Sequence, residues 1–186
     1  MSLTAYRAAV VAGLKTLGGE APLFRSVEPH GGRFDLEELK RFGALAPAAR
    51  VAVLALRPAQ ELSSGRLLVT VRCATFVATR DLPALPRDVA ALALVDAVLL
   101  AIEGNFWGDA AARRPAGLGA ENLFGTTQDR TGVALWAVTW EQQVLLGGLD
   151  AETLDALELI AQTWPVGGEH TPNPEDNVVI PQDEEA

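Results

Sequence analysis

The feature that most constrains this chain is a pair of long runs with a period of two. In GRLLVTVRCATFVATRD, Gly65 to Asp81, the residues Leu67, Val69, Val71, Cys73, Thr75 and Val77 fall on one face. Leu68, Thr70, Arg72, Ala74 and Phe76 fall on the other. In TGVALWAVTWEQQVLL, Thr131 to Leu146, Ala134, Trp136, Val138 and Trp140 share a face opposite Val133, Leu135, Ala137, Thr139 and Glu141. Both faces of this second run begin apolar. A chain of 186 residues has room for one such core and not for two comparable ones.

The remaining segments are arranged around those strands. Tyr6, Ala9, Val10, Gly13, Leu14 and Leu17 recur at helical spacing over residues 3–17, and Gly18 and Gly19 stop that helix. LFRSVE, Leu23 to Glu28, reads as short and extended. PHGG, Pro29 to Gly32, breaks it, with Gly31 and Gly32 as residues able to take positive φ. Asp35 is placed to cap a short helix running through Phe42, with Glu37 and Glu38 in its first turn where the helix dipole favours acids.

RVAVLALRP, Arg50 to Pro58, is a strand-length apolar run that should pair as a hairpin with the strand after Gly65. The polar AQELSSG connection would then project from the sheet. Pro86 opens a helix ending at Gly104, whose apolar residues cover more than one face; it is expected to be the most buried helix. Residues 105–119 read as a loop. ENLFGTT then pairs with the tryptophan strand about a turn at Gln128 to Arg130.

A last helix, Ala151 to Trp164, is capped by Asp150 and ended by Pro165. This order predicts an α+β fold: a mostly antiparallel sheet with helices packed on one side, one domain over residues 1–166, and an acidic, Pro-rich arm over 167–186.

Charge and composition narrow the function. The net charge is −9, and the segment after Gly168 holds six acids and no base, which leaves the body near −3. Without a basic stripe, specific nucleic-acid binding is not expected. The richest apolar run, Val89 to Ile102, is interrupted by Asp96 and too short for a membrane span, and the N-terminus has no leader pattern, so a cytoplasmic place of synthesis is expected. Cys73 is the single cysteine and excludes an internal disulfide.

Catalytic chemistry finds few candidates. The histidines are His30, in the glycine turn, and His170, in the tail. Ser2, Ser26, Ser63 and Ser64 lack a nucleophile-elbow context. Gly117 and Gly119 lack the third glycine of a dinucleotide loop, and Asp35, Glu37 and Glu38 lack a calcium-binding loop around them, so no cofactor or metal is expected. The 49% hydrophobic content instead suggests apolar surface hidden by other subunits. Trp136 and Trp140 fit either a core or an interface, since large aromatics are enriched in both. Trp136, with apolar neighbours on both faces, is the better core residue. Trp140, followed by Glu141, Gln142 and Gln143, is the better interface residue.

The succession RSVEPHGGRFDLEELKRFGALAPAARVAVLALRP, GRLLVTVRCATFVATRDL, DVAALALVDAVLLAIEG and LGAENLFGTTQDRTGVALWAVTWEQQ resembles the tail-terminator or tail-completion proteins of Mu-like bacteriophages and prophages. The likeness spans about Leu3 to Leu146. It includes the phrase R-S-V-E-P-x-G-G, the N-L-F strand and R-x-G-V-A-x-W-x-V.

The resemblance implies a non-enzymatic virion protein forming a hexameric ring on the head-proximal end of the tail tube. That ring would stop polymerisation of the tube and of any sheath, and join the tail to head-tail connector or neck proteins. A closed ring needs two different matching patches on each subunit. The candidates are Trp140 to Gln143, the loop residues Glu61, Ser63 and Ser64, the segment with Phe34, Glu37 and Glu38, and the apolar cluster Val178, Val179 and Ile180 in the arm. The alternatives are a small enzyme whose site is shared between protomers, and an adaptor with no place in a virion.

Overall fold

The computed structural model describes residues 1–62, 66–81, 85–109, 112–123 and 132–147. They belong to one compact unit, Met1–Gly148. The expected helix Ala151 to Trp164, the arm and the domain boundary near residue 166 lie outside the described residues, as does the turn at Gln128 to Arg130.

Along the chain the elements are α1 (Leu3–Lys15), β1 (Ser26–His30), α2 (Leu36–Ala44), β2 (Ala48–Glu61), β3 (Leu67–Arg80), α3 (Arg87–Ile102), β4 (Ala116–Asn122) and β5 (Val133–Leu146). The strands form one sheet in the order β1-β2-β3-β5-β4. Pairing is antiparallel except for β1 and β2, which run parallel with α2 as their crossover. The fold is therefore α+β with a mostly antiparallel sheet. The two period-two runs are its centre: β3 pairs with β5 along its whole length, from Leu67 opposite Leu146 to Arg80 opposite Val133.

Each face of this ribbon has its own core. On one face α1 lies over β1 and β2, and α3 over β3 and β5. Tyr6, Val10, Leu14, Val95, Val98 and Ile102 there meet Val51, Val71, Val77, Val138 and Trp140. On the other face the alternate residues Ala74, Phe76, Ala78, Val133, Leu135 and Ala137 receive Leu39 and Phe42 of α2. The helices are thus not all on one side. A parallel β1–β2 pair needs a crossover connection, and the small side chains Ala48, Ala52, Ala74 and Ala78 make room for α2 on the second face. Contact there is close: a Cβ added to Gly43 would collide with Val133 Cγ2.

Local chemistry sets the ends of the elements. Ser2 accepts a hydrogen bond from the Ala5 amide and Asp35 one from the Glu38 amide, both as helix N-caps. β1 begins three residues later and ends two residues later than the sequence pattern suggested, because its register is set by β2, Ser26 opposite Ala48 through His30 opposite Ala52. β2 runs past Pro58 to Glu61, which makes the hairpin connection shorter than the sequence suggested. Pro58 falls within the register shift between Arg57 and Gln60, where an irregular ladder tolerates a missing donor. β4 starts at Ala116, inside the segment read as a loop. Gly117 at φ 61° and the register shift between Ala116 and Gly119 break the alternation that would have marked it.

Candidate functional site

Of the residues proposed for self-association, the four on β5 divide sharply. Trp140 is 1% exposed and sits in the main core, where its indole N–H donates to the Tyr6 hydroxyl at 3.3 Å. Gln142 is also 1% exposed. Neither can meet another subunit, and both expectations are corrected: period two puts Trp136, Val138, Trp140, Gln142 and Val144 on the one face that α1 and α3 cover. Trp136, expected to be the core residue, is only partly buried and lines an open hollow with Asp81, Arg87, Asp88 and Leu92. The burial of the two tryptophans is thus the reverse of the expectation.

Gln142 is the hub of a buried polar network. Its Oε1 accepts from the Tyr6 hydroxyl at 2.7 Å and from the Trp107 indole at 3.0 Å. Its Nε2 donates to the carbonyls of Asn105 and Arg113 at 2.9 and 2.8 Å. One side chain thereby ties β5 to α1 and to the segment after α3. Trp107 is held at a positive φ of 52°, with its amide donating to Asn105 Oδ1 at 2.8 Å. The Cys73 thiol lies 4.0 Å from the Tyr6 hydroxyl, to which it donates. Burial pushes Cys73 up to about 12, against its hydrogen bond with Tyr6, which lowers it. Burial, and then the neighbouring Cys73, hold the Tyr6 phenol well above its ordinary value. These groups are committed to the fold in neutral form and are poor nucleophiles.

Glu141 and Gln143 point to the other face. Glu141 is partly buried and pairs with Arg57 at 2.8 Å, while Gln143 is exposed. Glu61 closes β2 opposite Leu67. Ser63, Ser64, Val178, Val179 and Ile180 lie outside the described residues.

The segment with Phe34, Glu37 and Glu38 also splits. Phe34 packs inward, stacked 4.0 Å from His30 and 5.5 Å from Phe42, with Phe76 edge-on at 4.9 Å. Glu38 accepts from His30 Nε2 at 2.9 Å, whereas Glu37 remains exposed. His30 Nδ1 accepts from the Gly32 amide at 2.9 Å, so both ring nitrogens are engaged and neither is left for a general base. The PHGG turn depends on one of its glycines. Gly32 sits at φ 88°, where a Cβ would meet Leu54 Cδ2 at 2.8 Å, while Gly31 has open space and no positive φ.

The structure also shows surface that was not singled out in the sequence. α3 buries Ala90, Ala91, Val95, Val98 and Ile102 but turns Val89, Leu92 and Leu100 outward, with Leu100 72% exposed. The helix is therefore covered on one side and not all round. Leu54, Leu56 and Leu67 are exposed where β2 and β3 continue past β1. The signal for α3 was present as apolar residues on more than one helix face, which fits a helix with a second partner as well as it fits burial. Among the described residues no group of three or more acidic, histidine or cysteine side chains is placed to hold a metal ion. None of the described helices is long and apolar enough to cross a membrane. Compared by sequence, the chain matches no protein-family model, and no curated protein matches it significantly.

Proposed function

We propose that the chain is a structural subunit that closes into a ring with its own copies and caps the head-proximal end of a phage tail tube. The observation that carries this is a sheet with two unlike open edges. Among the described residues β4 has no strand on its outer side, and at the other edge β1 covers β2 only as far as Ala52. Val53 to Glu61 therefore present an unpaired edge beside the exposed Leu54 and Leu56. Such edges invite pairing with another chain. Because they lie on opposite sides of the sheet and differ in length, they suit a head-to-tail contact, the type that closes a ring.

The resemblance noted in the sequence over about residues 3–146 supports a place between the tail tube and the neck proteins, with a sheath around it where the tail is contractile. The commitment of His30 and Cys73 to packing and internal hydrogen bonds favours this reading over an enzyme. The test is solution mass, measured for the purified chain alone and with tail tube protein. A ring-sized assembly, or capping of tubes seen by electron microscopy, is the expected result. A monomer that leaves tube growth unchanged refutes the proposal.

A further inference from the structure

At the N-terminal end of α3 an open groove of about 200 Å³ is lined by Leu23, Ala46, Pro47, Leu85, Ala90 and Leu94, with Ala93 and Thr79 beside them. Among the described residues its one charged lining residue is Arg80, whose side chain is exposed. Six residues beyond Leu94 on the same helix, roughly 9 Å at 1.5 Å per residue, Leu100 stands out from the surface. Its neighbours one turn away on that face are Asp96 and Glu103, both exposed. A single subunit thus carries an apolar knob flanked by acids and an apolar groove flanked by a base. A rigid helix keeps its own Leu100 out of its own groove.

We infer that Leu100 of one copy seats in the groove of the next, with Asp96 reaching Arg80. This deepens the ring proposal and rests on it, since it names side chains at the contact between copies. The contact is a central anchor within a larger interface, because one leucine buries far less than the roughly 800 Å² per partner that a stable interface requires. A two-fold alternative, in which two α3 helices pack antiparallel and exchange their leucines, is disfavoured by charge. Placing Leu100 beside the partner copy's Ala93 would bring the two Asp96 carboxylates within a turn of each other at an apolar contact. The head-to-tail arrangement avoids this.

The experiment uses the full chain carrying both Ala93→Cys and Leu100→Cys, oxidised and resolved by denaturing electrophoresis; Cys73 is buried and does not compete. Head-to-tail docking gives a ladder of cross-linked species up to ring size. Leu100→Asp should raise the concentration needed for assembly at least tenfold with an unchanged monomer melt. Asp96→Arg and Arg80→Glu should each weaken assembly, and the two together should restore it. Cross-linked dimers without higher species would overturn the inference in favour of two-fold pairing. Ring formation with no cross-link and no effect of Leu100→Asp would overturn the docking and leave the ring proposal standing. A wild-type chain that stays monomeric with and without tail tube protein would reject both.

Discussion

Replacing Gln142 by Leu should cost the fold more than most single changes, and the structure shows why. Gln142 uses all of its hydrogen-bonding capacity, accepting from Tyr6 and Trp107 and donating to the carbonyls of Asn105 and Arg113. Leucine fills a similar volume but leaves the Tyr6 hydroxyl proton and the Trp107 indole proton facing an apolar side chain. Each stranded buried donor costs about 1–3 kcal/mol. The two carbonyls are only partly buried and can turn to water, so they add less. The expected loss is therefore about 2–6 kcal/mol, a large share of the roughly 5–15 kcal/mol that holds a domain of this kind together.

Gln142→Glu adds a pH signature. In the fold the new carboxyl would be buried, which raises its pKa above the unfolded value of about 4.3. The native state then binds more protons than the unfolded one, so the variant's deficit against wild type is smallest below about pH 4 and grows as pH rises. Urea denaturation of wild type and both variants at pH 4, 5 and 7 measures this directly. A Gln142→Leu protein within about 1 kcal/mol of wild type, or a Gln142→Glu deficit that does not change with pH, would refute the network argument.

Other expectations follow from the same geometry. Trp140→Ala should cost about 3–5 kcal/mol as a fully buried residue, and Trp136→Ala clearly less, in thermal or urea melts. Gly32→Ala should lose about 1–2 kcal/mol for a side chain at positive φ, while Gly31→Ala stays within about 0.5 kcal/mol of wild type. Cys73 and Tyr6 are both raised in the fold, so the stability they contribute is complete below their unfolded values and is lost as pH climbs. For Cys73 that window runs from 9.0 to about 12. Stability in pH-stepped urea melts should therefore fall above pH 9, and Cys73→Ala should flatten part of that fall.

The sheet was legible because its two central strands state their geometry in the simplest code a sequence has. Alternation from Leu67 to Val77 and from Val133 to Glu141 assigns every residue to a face, and the structure keeps each assignment. The helices were legible from their apolar periodicity, with the Asp35 cap marking the start of α2 and Pro86 that of α3; the Ser2 cap of α1 was not singled out. What the pattern could not carry was irregular or non-local. β4 was hidden because Gly117 and a register shift interrupt its period, and β2 ran past Pro58 because an irregular edge tolerates a proline. The side chosen by α2 depends on a parallel crossover that local sequence does not announce.

The tryptophan strand shows the same limit at the level of function. Polar residues following Trp140 looked like the start of a wet surface, yet Gln142 falls two places after it and so must share its face. With that face covered by α1 and α3, a glutamine there must find partners inside, and the Tyr6 hydroxyl, the Trp107 indole and two backbone carbonyls are those partners. Parity along a strand says which residues travel together; only the third dimension says which face is dry. α3 poses the converse case. Its apolar residues surround the helix, but the sheet can cover only one side, and Val89, Leu92 and Leu100 are what remains. Those outward residues add nothing to the core of the described unit, which makes the outer face of α3 the surface on which the ring proposal is most directly tested.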